Sequence, residues 1–162
     1  MTGFFFGFEP FYDSDSVLLI LGSFPSVKSR REGFYYGNPQ NRFWRTLSSY
    51  FGEAVPTTVA EKKALLSRHK IALWDVVTSC QIDGSKDDSI RCEEVADLLG
   101  LLGKSKIKRI FCNGGKSFEL LEREFPSLVE RTQKLPSTSP ANPRFSAEVW
   151  HRALDGVFHV NL

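Results

Sequence analysis

The 162-residue chain is short of the residue types on which much enzyme chemistry depends, with three cysteines, three histidines and one methionine. Cys80, Cys92 and Cys112 are odd in number and widely spaced, which excludes a disulfide framework and the paired spacing of a zinc site. They also fall short of the four thiolates that usually hold an iron–sulfur cluster, and read as small buried hydrophobes of a reducing compartment. His69, His151 and His159 share no metal-ligand spacing and stand beside no evident nucleophile, so no catalytic role is assigned to them. No apolar run approaches the roughly 20 residues of a membrane span. The apolar start, Met1 to Phe8, lacks a basic leader and is interrupted by Glu9, Pro10 and Asp13, so it reads as an arm packing on the domain. Charge of one sign is missing too: 21 basic against 19 acidic residues leave a net +2, which leaves the partner open, although a small excess can hide a local basic face. These absences describe a cytoplasmic protein of one domain over residues 1–162, working without membrane, metal or cofactor; they leave its oligomeric state open, with a monomer as the expectation.

What is present is an alternation of apolar runs and helical spacings. Val17 to Leu21 is continuous and apolar and ends at Gly22, as a parallel strand buried on both faces does. Phe43, Trp44, Leu47, Tyr50 and Phe51 recur at helical spacing, and a second helix runs from Thr57 to His69. Ile71 to Val77 reads as a strand followed by a polar loop through Gly84 to Asp88. Val95, Leu98, Leu99 and Leu102 give a further helix face, and Lys106 to Cys112 a third strand. Phe118, Leu121 and Phe125 mark a helix stopped by Pro126, Thr132 to Leu135 a short strand, and Phe145 to Leu154 a last helix. This rhythm predicts an α/β fold, a three-layer α/β/α sandwich around a central, mainly parallel four-stranded sheet. In such a sheet the site lies at the carboxyl ends of the strands.

Two motifs fail on inspection. Asn113-Gly114-Gly115-Lys116-Ser117 looks like the end of a phosphate-binding loop, but the first glycine that loop needs would lie at Ile110, inside a strand. Its glycines suit a strand-to-helix turn whose amides can meet a phosphate. Asp83, Asp87 and Asp88 sit among Gly, Ser and Lys and read as a solvated turn rather than a nuclease metal site. The informative segments are Gly22 to Arg30, Tyr35 to Trp44 and Ser137 to Pro143, small-residue loops that follow strands. Gly and Ser beside Pro let backbone approach a ligand, Tyr35 and Tyr36 offer stacking faces, and Asn41 offers an amide with donor and acceptor. From local pattern alone, Asn41 reads equally as the cap of the following helix.

The order of these segments carries a resemblance over most of the chain. Gly22-Ser23-Phe24-Pro25 comes first, then Tyr36-Gly37-Asn38-Pro39-Gln40-Asn41-Arg42-Phe43-Trp44, Trp74-Asp75 with a later Gly84-Ser85-Lys86-Asp87, Asn113-Gly114, and Ser139-Pro140-Ala141-Asn142. Together they resemble the uracil-DNA glycosylase superfamily, its mismatch-specific and thymine-DNA glycosylase-like members, and within these the hypoxanthine-DNA glycosylase branch. The resemblance implies a metal-free, monofunctional glycosylase that flips a deaminated base from double- or single-stranded DNA and hydrolyses its N-glycosidic bond. The alternatives are a uracil or G:U/T mismatch glycosylase, or a lesion-binding module without catalysis. Where mismatch-specific relatives carry a catalytic Asn before the first loop's proline, this chain has Phe24, and it lacks the histidine that many uracil enzymes place before the second proline. Both absences are similar to the hypoxanthine branch, which moves the catalytic assignment to Asn41. Asp75 is the second catalytic candidate, accepting from a purine N–H or orienting water, with a strand-end cap as its structural alternative. The base then meets Gly22, Ser23, Phe24, Pro25, Tyr36 and Asn113, with Tyr36 as the stacking residue. Lys28, Arg30, Lys116, Ser137, Ser139, Asn142, Pro143 and Arg144 face the DNA, the Asn142–Arg144 segment as a wedge into the stack.

Overall fold

The computed structural model describes the backbone of residues 2–25, 27–83 and 91–159, and the side chains of residues 6–25, 29–79 and 94–159. In chain order the first half contains β1 (Thr2–Phe6), β2 (Leu18–Gly22), α1 (Val27–Glu32), α2 (Phe43–Phe51), α3 (Val59–Arg68) and β3 (Ile71–Asp75). There follow β4 (Val77–Asp83), β5 (Arg91–Val95), α4 (Leu98–Gly103), β6 (Arg109–Asn113), α5 (Gly115–Glu124), β7 (Thr132–Leu135) and α6 (Ala147–Phe158).

The strands β3-β2-β6-β7 form one parallel sheet. The side chains of β2 are completely buried and alternate between its faces, as a strand's period of two requires. Leu19 and Leu21 join a core with Leu98 and Leu101 of α4 and Leu120 and Leu121 of α5. Leu18 and Ile20 join the opposite core, with Phe43, Trp44 and Leu47 of α2, Leu65 and Leu66 of α3, and Trp150 and Leu154 of α6. Two cores on one sheet give the expected α/β/α sandwich. The chain leaves β2 toward β3 on one side and later reaches β6 on the other, covering opposite faces as it does so. Such a reversal opens a crevice at the carboxyl ends of the strands around β2.

Several local expectations need correction. The parallel strand ends at Asp75; Val76 is the break, and the chain continues as β4 rather than as a loop. The arm at the N-terminus is a strand, pairing antiparallel with β4 from Thr2↔Asp83 to Phe6↔Ser79, and β4 also pairs with β5 to complete a three-stranded antiparallel sheet. Val95 belongs to β5 and faces Val77, so α4 starts later, at Leu98, where the Asp97 side chain accepts from the Gly100 amide. Phe145 precedes the last helix, whose N-cap is Ser146. The Gly84–Asp88 loop, the side chains of the acidic cluster and those of Cys80, Cys92 and Lys28 lie outside the described residues. Among the described residues no helix is long and apolar enough to cross a membrane.

Candidate functional site

The carboxyl ends of the three adjacent strands β3, β2 and β6 place Asp75, Gly22 and Asn113 side by side, with Gly22 directly opposite Asp75 in the ladder. A Cβ added at Gly22 would sit 2.5 Å from Asp75 Oδ1 and 3.5 Å from the Tyr36 hydroxyl. The missing side chain is therefore what makes room for a buried carboxylate, only 4% exposed, at the floor of the crevice. Beyond Gly22 the β2–β3 pairing continues through backbone alone, Val76 N–H donating to Gly22 O and Val77 N–H to Ser23 O. That contact fixes the first loop. Phe24 then turns inward and packs in the core, with the Arg30 guanidinium 5.4 Å above its ring and donating to Pro25 O. Arg30 thus braces the loop.

The second segment descends from α1. Gly37 N–H donates to Ser29 Oγ, and a Cβ at Gly37 would meet Glu32 Cβ at 2.8 Å. Just before it, Tyr36 adopts φ +54°, a left-handed conformation that a non-glycine residue takes only under local constraint. Its ring stacks on Phe43 at 4.1 Å, while its hydroxyl is buried and makes no hydrogen bond of ordinary geometry among the described residues. Burial first, then the charge of Asp75, raises the Tyr35 and Tyr36 pKa values far above the ordinary phenol range, so both remain neutral donors. Asn38 and Asn41 follow. Each accepts through Oδ1 from a backbone N–H two residues on, of Gln40 and Phe43 respectively. The N-cap of α2 is Arg42, which makes no side-chain cap bond, so Asn41 is not the helix cap its sequence position suggests. It closes a two-residue turn onto Phe43 and lines the crevice, and because the Phe43 N–H takes the amide oxygen as its acceptor, Nδ2 is the end left to face the cavity.

The third segment is held differently. Asn113 donates through Nδ2 to Thr138 Oγ1 and accepts through Oδ1 from Thr138 N–H, both at 2.9 Å, clamping the loop to the end of β6. Gly114, at φ +97°, lets this strand-to-helix turn pass Ser137, whose Cβ would be 3.1 Å from an added one. Asn142 donates to Ser137 O and accepts from Arg144 N–H. Arg42 completes the assembly: its amide donates to Thr138 O and its Nη1 to Ser139 O and Asn142 O, with the guanidinium 5.0 Å over Phe145.

These segments enclose one cavity of about 620 Å³, within the usual range for small-ligand pockets. Among the expected residues, Gly22, Ser23, Phe24, Pro25, Tyr36, Asn41, Asp75, Asn113, Ser137 and Ser139 line it. Ser137 and Ser139 also border a neighbouring groove with Asn142 and Arg144. Arg30, Lys116 and Pro143 line neither; Lys116 stands in the first turn of α5 and Pro143 on an exposed turn. Sequence reasoning assigned no role to Asn38, Ser29, Thr138 or Arg42. The first three line the cavity and Arg42 ties its two sides together, through contacts 97 and 100 residues apart that no local pattern signals. Cys112, buried beside Ser117, has its thiol pushed up to about 12 by burial and is no thiolate nucleophile.

Comparison with known proteins gives a consistent result. A family model described as the uracil DNA glycosylase superfamily matches residues 9–153. The chain is 39% identical over 141 residues to a protein of Methanosarcina acetivorans named hypoxanthine DNA glycosylase, covering 86% of this chain and 89% of that one. A protein of the same name from Methanosarcina barkeri is 37% identical over 140 residues, 85% of this chain and 88% of its own. The solution NMR structure of a Methanosarcina acetivorans protein, described as a candidate uracil DNA glycosylase, superposes with a TM-score of 0.83 at 36% identity, covering 97% of this chain and all of the other. With a cavity where the strand-end loops meet and a match running through nearly all the elements that build it, the chain belongs to the uracil DNA glycosylase superfamily.

Proposed function

We propose that the protein is a DNA glycosylase that takes a deaminated base, hypoxanthine from deoxyinosine, into the strand-end cavity, and hydrolyses the bond to the sugar, leaving an abasic site. The observation that carries this reading is the pairing of an acceptor and a donor around one cavity: the buried Asp75 carboxylate for which Gly22 leaves room, and the Nδ2 end of Asn41. The names of the two Methanosarcina relatives support the choice of base.

The reaction passes through an oxocarbenium-like sugar and a base leaving with the bond's electron pair. Asp75, an acceptor only, holds the attacking water and receives its proton as the water oxygen bonds to the anomeric carbon; its charge also faces the cationic sugar. Asn41 Nδ2 donates to the carbonyl edge of the purine, where negative charge gathers as the bond breaks. Tyr36 provides the ring beside the base, buttressed by Phe43, while Ser23, Phe24 and Pro25 form the opposite wall and Asn113 holds the second loop through Thr138. Ser137, Ser139, Asn142 and Arg144 border the groove for the strand, Lys116 stands close in sequence to that border, and exposed Pro143 occupies the place of a wedge. One domain acting as a monomer would suffice for this chemistry.

The test is release of free base from inosine-, uracil- and undamaged duplexes, with chelator present, analysed by chromatography. Hypoxanthine release with an uncut backbone is expected. Uracil release without hypoxanthine release would move the substrate assignment, and tight lesion binding with no base released would leave a binding module.

A further inference from the structure

A second cleft opens between α2 and α6, outside the base cavity. It holds about 370 Å³, and Arg42, Arg45, Thr46, Ser49, Phe145 and His151 line its walls. Its lining contains two arginines and a histidine and no carboxylate. The acids of α6 on this side are engaged elsewhere, Glu148 with Arg152 and Asp155 with the Tyr50 hydroxyl. His151 donates through Nε2 to Thr46 O, which fixes its ring against the cleft wall.

The cleft adjoins the base cavity through two consecutive residues. Asn41 lines the cavity, Arg42 lines the cleft, and the Arg42 guanidinium grips two carbonyls of the loop that rims the cavity. Arg45 lies one helical turn further along and is exposed. Its contact is a long one, 3.5 Å to Gln40 O, and among the described residues no carboxylate pairs with it. A net charge of +2 produces little overall attraction for a polyanion, so attraction must come from clusters of this kind.

We infer that this cleft carries the phosphodiester backbone flanking the flipped nucleotide, with Arg45 contacting a phosphate directly; the inference rests on the reading of the neighbouring cavity as a DNA-base site. Cation density without acids suits a phosphate, and the cleft's junction with the cavity at Asn41–Arg42 puts that phosphate on the same strand as the extruded base. Arg42, already bound to two carbonyls, sets the wall, and Ser49 adds an exposed hydroxyl.

The experiment measures equilibrium binding to two duplexes, one with 2′-fluoro-deoxyinosine, which resists cleavage, and one undamaged, across a salt series. Each phosphate contact contributes about 0.9 to the slope of log K against log salt. Arg45→Ala is expected to lower the slope by about that amount on both duplexes and to weaken binding roughly threefold to tenfold at low salt, and Arg45→Glu to weaken it further. Lys108→Ala removes the same charge from the other end of β6 and is expected to keep the wild-type slope. A wild-type slope for Arg45→Ala, or an equal drop for Lys108→Ala, overturns the inference. Failure to release hypoxanthine would sink the base-excision reading alone, since the undamaged duplex tests the cleft without any reaction.

Discussion

Four asparagines stand at or beside the cavity, three in the loops that face each other across it and Asn113 at the end of β6, and the hydrogen bonds divide them into pairs. Asn113 and Asn142 are engaged at both ends of the amide, with Thr138 and with Ser137 and Arg144. Asn38 and Asn41 are engaged at the oxygen only, each closing a two-residue turn. The first pair builds the second loop; the second pair leaves donors at the cavity. Residue type alone puts Asn41, Asn113 and Asn142 in one class of ligand-facing amides. Accounting for each polar atom separates a group available to substrate from a group that holds the wall in place.

The sharpest way to test that division is Asn41→Asp. The carboxylate keeps an oxygen for the Phe43 amide and loses the donor, so thermal stability should remain near wild type while single-turnover excision of inosine falls by ~100-fold or more. Asn41→Ala should lose both, with ~0.5–1.5 kcal/mol of stability from the missing turn hydrogen bond. If Asn41→Asp cuts at the wild-type rate, Asn41 only closes the turn, and the donor role passes to Asn38.

Gly22→Ala tests the floor between the loops. The new methyl group would collide with Asp75 Oδ1, so the variant should lose ~1–3 kcal/mol in denaturant unfolding and at least ~10-fold in excision rate. Combining it with Asp75→Ala should recover much of the stability loss but none of the activity, which identifies the carboxylate as the atom in the way.

Tyr36→Ala should weaken binding to a non-cleavable inosine duplex by ~1–3 kcal/mol through lost stacking, read by titration at fixed salt. Tyr36→Phe keeps the stack on Phe43 and should bind as wild type. Asn113→Ala should break the opposite side of the comparison: it leaves the Thr138 amide and hydroxyl without their clamp and should cost ~1–3 kcal/mol of unfolding free energy. Its excision rate should fall less than that of Asn41→Asp; an equal fall with unchanged stability would place Asn113 on the substrate instead.

Much of this architecture is legible in the sequence because the parallel strands are buried on both faces. Val17 to Leu21, Ile71 to Leu73 and Ile110 to Cys112 are continuous apolar runs, α2 and α5 show their helical spacing openly, and α3 is legible from its helix-forming composition. The antiparallel sheet is not legible. Ser79 and Gln81 of β4 are polar, and their strand state depends on partners at the N-terminus and in β5 rather than on local preference. Helix α1, Val-Lys-Ser-Arg-Arg-Glu, has no apolar period at all. At the site, the end of a strand is readable at Gly22 and Asn113, whereas Asp75, inside a run that reads as one strand to Val77, emerges only through the resemblance carried by Trp74-Asp75. The direction of each amide, the pairing of Thr138 with Asn113 and the grip of Arg42 depend on contacts across the fold and emerge only in three dimensions.

Arg42 holds Ser139 and Asn142 by their main-chain carbonyls, and its own amide meets the carbonyl of Thr138. A main-chain oxygen is the same whatever side chain follows it. The rim of the cavity can therefore change its sequence over evolutionary time while the frame that presents it stays fixed, and a repair enzyme of this construction can drift toward a new lesion by substitutions in the loop without first having to relearn how to fold it.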